Sequence, residues 1–179
     1  MDITDDFKNI LKIVTDSKEL GYKEYKKAFE IIMSGKATDA QISSFLTAIK
    51  MQEHNPTVIA AGAETLREKC LRISSKENTV DVVGTGGDNL GTLNISTAVS
   101  FVLSGTGVSV AKHGNYAASS KSGAANVLKA LSVNVDCEIN AVSKCLEEIG
   151  ICFLFAPKHH TAMKYVGKIR QELGIRTIF

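Results

Sequence analysis

The segment Asp81-Val-Val-Gly-Thr-Gly-Gly-Asp88, followed by Asn94-Ile-Ser-Thr97, sets the architecture of this chain. A short apolar strand runs into a glycine-rich turn, and the polar cluster beyond the turn can begin a helix. Glycines let several backbone N–H groups converge on one point, and a helix N-terminus adds partial positive charge there. The segment therefore predicts a strand–loop–helix unit that binds an anion, most simply a phosphate or pyrophosphate.

Two familiar phosphate loops do not fit this segment. A P-loop needs a lysine, and none lies between Gly84 and Thr97; a dinucleotide fingerprint needs glycine where Asn89 stands. Asp88 would repel a bare phosphate, but a carboxylate suits sugar hydroxyls or a neighbouring Mg²⁺. Taken alone, the loop also fits an ordinary strand-to-helix turn.

A second polar loop, Lys112-His-Gly-Asn-Tyr-Ala-Ala-Ser-Ser-Lys-Ser-Gly123, follows the next predicted strand. In open parallel sheets ligands bind at the carboxyl ends of strands, so the two loops face one crevice if their strands are neighbours. Lys112 would then be a point charge for a phosphate. The neutral hydrogen-bond donors would be Asn115, Ser119 and Ser120. The glycines that let the loop flex or close would be Gly114 and Gly123. A solvated surface loop is the alternative.

The first 75 residues predict four amphipathic helices. Thr38 and Gln41 form a capping-box pattern, and Asn55-Pro56 is typical of an N-cap followed by proline at the first helical position. The predicted inward residues of the first three helices are Ile3, Phe7, Ile10, Leu11 and Val14; Tyr22, Tyr25, Phe29 and Ile32; and Ile42, Phe45, Leu46 and Ile49.

After residue 75 the period changes to strand–helix alternation, which is typical of a parallel sheet with crossover helices. The predicted strands are 79–83, 108–111 and 151–155, with an extended piece from 175. The predicted helices are 95–104, 122–131, 141–148 and 161–173, the last with Ala162, Val166, Ile169 and Leu173 inward. The expected fold is α/β: a helical subdomain (1–75), then a partial, mostly parallel sheet with crossover helices (76–179) that looks cut short.

Composition limits the function classes. With 44% hydrophobic and 22% charged residues the chain is typical of a globular protein, and a net charge of +2 gives little support for nucleic-acid binding. No apolar stretch is long enough to predict a membrane span, and the acidic N-terminus does not fit a signal peptide. Cys70, Cys137, Cys145 and Cys152 lack a CxxC pattern, which favours reduced thiols in a cytoplasmic protein.

The order of four motifs resembles the anthranilate phosphoribosyltransferase family. They are Gly84-Thr-Gly-Gly-Asp88, Asn94-Ile-Ser-Thr97, the Lys112–Gly123 loop, and Phe155-Ala-Pro-Lys-His-His-Thr-Ala-Met163 with its continuation to Phe179. The likeness spans essentially the whole chain and implies a fold of the nucleoside phosphorylase/phosphoribosyltransferase type. It also implies transfer of phosphoribosyl from phosphoribosyl pyrophosphate to anthranilate in tryptophan biosynthesis, with Mg²⁺.

The resemblance implies a set of site residues. Gly84, Gly87 and Asp88 would contact the donor, with Thr92, Asn94, Ile95, Ser96 and Thr97 around the pyrophosphate and the Ser96 hydroxyl on Mg²⁺. Lys112, His113, Gly114, Asn115, Ser119, Ser120 and Ala124 would close over the donor. The residues that would hold anthranilate are Gly84, Asn115 and Arg170. Arg170 would bind the carboxylate of anthranilate. No catalytic acid or base is expected, because the aniline nitrogen is already neutral at pH 7.

Some residues fit structural rather than functional positions, and two features of the sequence depart from the family pattern. His159 and His160 fit loop and helix-start positions, and Glu147-Glu148 fits a solvated helix face. Tyr116 stands where many members have arginine. The Asp-Glu pair that binds Mg²⁺ in the family is absent from the 179 residues, so the chain is expected to be a fragment with little or no activity by itself.

Three other interpretations of the function stay open. The chain could be a pyrimidine nucleoside phosphorylase, which shares the general architecture. It could be a non-catalytic relative that binds nucleic acid. The N-terminal helices, which the resemblance implies form a homodimer interface, could also act only as a dimer-forming module.

Overall fold

The computed structural model of the chain describes residues 3–52, 55–84, 93–117 and 122–175. The described residues form two compact units. One contains the described residues up to Cys70 together with those from His160 onward, and the other runs from Leu71 to His159. The segment after residue 160, predicted to follow the sheet, therefore groups with the N-terminal helices.

The first unit is helical and has one apolar core. Its elements are α1 (Ile3–Thr15), α2 (Tyr22–Met33), α3 (Asp39–Met51), α4 (Pro56–Lys69), a 3-10 helix (Thr161–Tyr165) and α9 (Gly167–Glu172). Phe45 lies at its centre, with ring centroids 6.0 Å from Phe7 and 5.5 Å from Phe29. The described residues of the predicted apolar stripes lie in the core, with Leu11 partly buried, except that Tyr22, at the start of α2, is exposed. The side chain of Ile3 is not among those the structure describes.

Both predicted helix starts are confirmed. Thr38 Oγ1 accepts a hydrogen bond from the Gln41 N–H at 3.3 Å, and Gln41 Oε1 accepts one from the Thr38 N–H at 2.9 Å. Asn55 Oδ1 accepts from the Thr57 N–H at 2.9 Å, with Pro56 at the first helical position of α4. These bonds satisfy N–H groups that a helix leaves without intrahelical acceptors.

The second unit contains the parallel sheet. Strands β1 (Val110–Gly114) and β2 (Ile151–Phe155) pair in parallel, with Val110 opposite Ile151 and Gly114 opposite Phe155. The helices of this unit are α5 (Ile95–Gly105), α6 (Ala124–Ala130), α7 (Ile139–Ile149) and α8 (Ala156–His159). The predicted fold class, a helical domain followed by a partial parallel sheet with helices, is confirmed.

Two predicted strands differ from the structure. The strand predicted at 79–83 is a single parallel bridge between Val80 and Val110, and the strand predicted at 108–111 lies at Val110–Gly114. The Val80 N–H donates to Ser109 O and the Ala111 N–H donates to Val80 O, both at 2.9 Å. Beyond Val80 the main-chain ladder stops because side chains take over its next hydrogen bonds.

The single helix predicted at 161–173 was also wrong. The structure has the 3-10 helix, then α9 beginning at Gly167, whose low helix propensity favours a break there. Ala162, Val166 and Ile169 are buried as predicted, whereas Leu173 is 41% exposed. Within the described ranges, no helix is both long enough and apolar enough to cross a membrane.

Candidate functional site

Gly84 and the N-terminus of α5 lie close together. A Cβ atom added to Gly84 would sit 4.0 Å from Ser96 Oγ, in the first turn of the helix. The N–H groups of a first turn lack intrahelical acceptors and carry partial positive charge, as an anion site requires. The Ile95 N–H is already used, because it donates to Leu93 O at 2.8 Å.

The end of the Val80 segment is tied to β1 by side chains. Lys112 Nζ donates to Val82 O at 2.7 Å, and Asp81 Oδ1 accepts from the His113 N–H at 3.0 Å. In a continued parallel ladder the His113 N–H would instead donate to Val82 O. The two side chains thus replace ladder bonds at the point where both loops begin.

The other ends of the two loops are also joined. Asn94, just before α5, donates from Nδ2 to Ser122 O at 2.9 Å and to Ser122 Oγ at 2.8 Å. Asn94 Oδ1 accepts from the Thr97 hydroxyl at 3.3 Å. Among the described residues, the ends of the Gly84 loop and of the Lys112–Gly123 loop are therefore neighbours. That the two loops face one crevice stays a prediction.

The Lys112–Gly123 loop folds back on itself. Asn126 Oδ1 accepts from the N–H groups of Ala117 and Gly123, each at 3.0 Å, and Asn115 O accepts from the Ala125 N–H at 3.1 Å. A Cβ atom on Gly123 would lie 2.3 Å from Ala117 N. Glycine is therefore required here by the close approach of two backbone segments.

Lys112, which the sequence suggests as a point charge for a phosphate, is buried in the structure. Lys112 is only 5% exposed, and its ammonium group faces backbone carbonyl oxygens. Burial lowers the pKa of Lys112, while the nearby Asp81 carboxylate opposes that shift. In this structure the lysine holds the start of the Gly84 loop through Val82.

His113 and Tyr116 occupy the loop between these ties. Burial lowers the pKa of His113, partly offset by Asp81. The Tyr116 ring packs edge-to-face on Phe155 with centroids 5.3 Å apart, and Lys129 Nζ lies 5.1 Å from the Tyr116 ring centroid. A hydrogen bond with Tyr116 is the main reason why the pKa of Lys129 is raised. Tyr116 therefore anchors the loop to the end of β2 and brings a cation beside it.

The remaining described site residues are Gly114, Ala124 and Arg170. A Cβ atom on Gly114 would meet the Phe153 ring at 2.8 Å and the Ala124 methyl at 2.9 Å, so Gly114 and Ala124 are close neighbours. Arg170 lies on α9 in the helical unit, and burial lowers its pKa. Gly87, Asp88, Thr92, Ser119 and Ser120 lie outside the described residues.

The described oxygen atoms were compared with the needs of Mg²⁺, which prefers octahedral oxygen ligands and usually keeps one or two carboxylates. The half-buried Ser96 hydroxyl beside Gly84 fits one such ligand position. The described ranges contain no cluster of three His, Cys, Asp or Glu side chains that could hold a metal ion. Ser96 therefore fits Mg²⁺ only as one ligand among several, and the other oxygen ligands would have to come from elsewhere.

An apolar cavity of about 200 Å³ lies near the crevice, lined by residues such as Phe101, Leu128, Val142 and Phe153. It shares Thr97 and Lys112 with the predicted site, but its apolar lining does not suit a phosphate. Cys152 lines it too, and burial raises the pKa of this thiol to about 11. Cys152 is therefore a protonated core residue rather than a nucleophile.

Three contributors were not assigned a role from the sequence. Asp81 and Ser122 lie inside the quoted motifs, but nothing in their spacing shows that they join two loops. Asn126 has a usable signal: it stands three residues after Gly123 at the start of α6, a position that favours a bond back to the helix start. The solvated helix face predicted for Glu147-Glu148 is confirmed, since both glutamates are exposed. His159, predicted at a loop or helix start, instead ends α8 and is buried, with Nδ1 2.8 Å from Leu71 O.

Comparisons with known proteins agree with the motifs. Residues 8–70 match the model for the helical bundle domain of the glycosyl transferase family, and residues 76–179 match the model for its a/b domain. Anthranilate phosphoribosyltransferases of Parvibaculum lavamentivorans and Rhodospirillum rubrum are 48% and 49% identical over 97% of this chain. The chain spans about half the length of these curated relatives, 51% and 50% respectively.

Solved structures give the same result. Anthranilate phosphoribosyltransferase from Thermus thermophilus superposes with a TM-score of 0.85 at 37% identity, over 94% of this chain and 52% of that protein. The enzyme from Saccharomyces cerevisiae in complex with PRPP and Mg gives 0.86 at 29% identity, over 97% of this chain and 52% of that protein. The resemblance predicted from the four motifs is confirmed.

Proposed function

We propose that this chain binds phosphoribosyl pyrophosphate. The chain belongs to the glycosyl transferase family, because both the helical bundle domain and the a/b domain of that family match it. It would supply the donor side of a site that transfers phosphoribosyl to anthranilate in tryptophan biosynthesis. The observation that carries this proposal is that hydrogen bonds join the described ends of the two loops. Lys112 and Asp81 join the loops at one end, and Asn94 and Ser122 join them at the other.

The crevice suits a donor with a large anionic leaving group. Gly84, Gly87 and Asp88 would lie along the ribose, and the first turn of α5 (with Thr92 before it) would face the pyrophosphate. Fixed N–H groups at a helix start stabilise charge that develops as the leaving group departs, with no reorganisation cost. Lys112, His113, Gly114, Asn115, Ser119, Ser120 and Ala124 would enclose the donor from the second loop.

Mg²⁺, which a yeast relative binds together with PRPP, is the proposed cofactor. It would be held by Ser96 and by donor oxygens, and when bound it would neutralise part of the pyrophosphate charge. The residues of this chain have a positioning role, because displacement at an oxocarbenium-like centre needs alignment and charge balance rather than a covalent intermediate. No side chain is proposed as an acid or base.

Anthranilate would be held by Gly84, Asn115 and Arg170. Arg170 would bind the acceptor carboxylate, and its partly desolvated guanidinium would strengthen such a charge-assisted bond. We further propose a homodimer through the N-terminal helices, a cytoplasmic location, and the functional division into a helical subdomain (1–75) and a donor-binding α/β part (76–179).

The activity of the chain by itself is expected to be low. The chain spans about half the length of its curated relatives, and the Asp-Glu pair expected to hold Mg²⁺ is not in it. Loss of one preorganised charge-stabilising group costs an enzyme roughly a hundredfold or more in rate. We expect the isolated chain to fall at least that far below a full-length relative.

The test is a product assay. The 179-residue chain and the full-length relative from Parvibaculum lavamentivorans are incubated separately with phosphoribosyl pyrophosphate, Mg²⁺ and anthranilate, and the phosphoribosyl adduct is quantified by chromatography. Slow, anthranilate-dependent product from the chain supports the proposal. A rate equal to the relative's would contradict the expected impairment. Phosphorolysis of thymidine or uridine, with no anthranilate adduct, would replace the proposal with a nucleoside phosphorylase.

A further inference from the structure

Asn126, in the first turn of α6, joins the two sides of the Lys112–Gly123 loop. Its side-chain oxygen Oδ1 accepts hydrogen bonds from the N–H groups of Ala117 and Gly123, each at 3.0 Å. The bond from Gly123 is local and fits a residue near a helix start, whereas the bond from Ala117 reaches across the loop. An amide oxygen has two lone pairs, so both acceptor positions of Asn126 are used to hold this loop.

The side of the loop that contains Ala117 also carries Asn115. Asn115 O accepts from the Ala125 N–H at 3.1 Å, and Asn115 Oδ1 accepts from the Tyr116 N–H at 2.8 Å. Both the backbone and the side chain of Asn115 are therefore held in place. Because only two backbone dihedral angles per residue are soft, a displaced Ala117 would carry Tyr116 and Asn115 with it.

The side of the loop that contains Gly123 leads to α5. Ser122 O and Ser122 Oγ accept from Asn94 Nδ2 at 2.9 Å and 2.8 Å, and Asn94 lies immediately before α5. A connected set of hydrogen bonds and neighbouring peptide units thus runs from Asn115 to the start of α5. Asn126 is the side chain that links the two halves of this set.

The two sides of the loop also touch directly. A Cβ atom on Gly123 would lie 2.3 Å from Ala117 N and 2.4 Å from the Tyr116 carbonyl carbon. The close approach brings the N–H groups of Ala117 and Gly123 to one acceptor, which Asn126 supplies. Asn126 is itself exposed, so a substitution can remove these bonds without opening a cavity in the core.

We propose that Asn126 is a positioning residue for the binding of phosphoribosyl pyrophosphate. It acts through the loop and not as a substrate contact: it holds Asn115 and Ser122 in the arrangement that the donor requires. A loop that is already ordered loses less conformational entropy when its ligand binds, and this strengthens binding. The inference rests on the proposed function, in which the Lys112–Gly123 loop encloses the donor and α5 faces its pyrophosphate.

The test compares two substitutions of Asn126 in the full 179-residue chain. Asn126→Leu keeps the approximate size of the side chain but removes the acceptor, whereas Asn126→Asp keeps an acceptor oxygen. In Asn126→Leu, calorimetric titration with phosphoribosyl pyrophosphate and Mg²⁺ should give a roughly tenfold weaker dissociation constant. Amide hydrogen exchange at Ala117 and Gly123, followed by NMR, should become roughly fivefold faster in the same variant.

Asn126→Asp is the rescue variant, because its carboxylate can accept the same two hydrogen bonds. It should keep exchange at Ala117 and Gly123 as slow as in the parent. The matched control is Asn134→Leu, the same change at an exposed asparagine whose Oδ1 accepts from the Asp136 N–H at 3.0 Å. It should leave both the donor affinity and the exchange at Ala117 unchanged. All three variants should keep the helical circular dichroism of the parent, since neither asparagine is buried.

The outcomes separate this inference from the proposed function. A parent chain without saturable donor binding would overturn both. Asn126→Leu binding the donor as tightly as a parent that does bind it would overturn the positioning role alone. The positioning role is also overturned if affinity falls in Asn126→Leu while exchange at Ala117 and Gly123 stays slow, or if Asn134→Leu weakens binding equally.

Discussion

At the scale of single residues, the crevice is held by side chains that take the place of main-chain hydrogen bonds. Asp81 accepts the N–H of His113, and Lys112 donates to the carbonyl of Val82. This explains why the strand predicted at 79–83 is a single bridge: its β-branched residues favour extended backbone, but residue spacing cannot show that a neighbouring ammonium and carboxylate will replace the ladder. The same geometry gives Lys112 a structural role at the start of the Gly84 loop.

Gly123 gives a prediction for one residue. In Gly123→Ala the new methyl would lie 2.3 Å from Ala117 N and 2.4 Å from the Tyr116 carbonyl carbon, so backbone must move. We expect a loss of about 2 kcal/mol or more in the free energy of unfolding, measured by urea denaturation. Gly105→Ala is the matched control, because a methyl there meets nothing within 4 Å, and it should be neutral or slightly stabilising. Equal effects of the two substitutions would rule out the close approach as the reason for Gly123.

His113 gives a prediction for pH dependence. Its pKa is lowered from the ordinary value of 6.5 by burial, so the unfolded chain takes up the proton first as the pH falls. The stabilising contribution of neutral His113 is therefore complete above pH 6.5 and is lost as the pH falls from there through the folded-state pKa. Denaturation midpoints between about pH 7.5 and 5.5 should drop less for His113→Gln than for the parent. A parallel drop in both proteins would show that His113 is not the group responsible.

At the scale of elements, the helices are the part that sequence predicts well. Apolar residues at helical spacing and local caps are visible in the chain itself, and stripe residues such as Phe7, Phe29 and Phe45 are buried as their spacing indicates. Tyr22 is the exception and is exposed. The prediction failed at Gly167, whose low helix propensity separates the 3-10 helix from α9, and Leu173 is left exposed. The apolar pattern of α5 predicted a helix correctly, but not that its apolar side would face outward.

The capping box of α3 gives a prediction at this scale. Thr38→Ala removes the acceptor of the Gln41 N–H, and we expect a loss of about 1 kcal/mol in the free energy of unfolding. Thr47→Ala, an exposed position within the same helix, is the control and should be neutral or slightly stabilising because alanine is the better helix former. Chemical denaturation followed by circular dichroism measures both. The capping role is refuted by a Thr38→Ala variant as stable as the parent.

At the scale of the whole molecule, the chain has two compact units, and the segment from His160 onward groups with the first. Sequence order alone could not assign it there, because Ala162, Val166 and Ile169 would suit either core. The described ends of the two loops lie in the α/β unit, and Arg170 lies on α9 of the helical unit. The motifs predict two candidate loops, but the hydrogen bonds made by Asp81, Ser122 and Asn126 depend on three-dimensional neighbours that residue spacing does not show.

The central claim is that the crevice beside α5 binds phosphoribosyl pyrophosphate with Mg²⁺, and calorimetric titration of this donor into the 179-residue chain tests it most directly. The account predicts saturable binding that strengthens with Mg²⁺. Affinity should fall about tenfold in Ser96→Ala, which loses the hydroxyl beside Gly84, and stay unchanged in Ser104→Ala at the far end of the same helix. Absence of saturable binding at donor concentrations up to about 10 mM, or equal affinities for both serine variants, would contradict it.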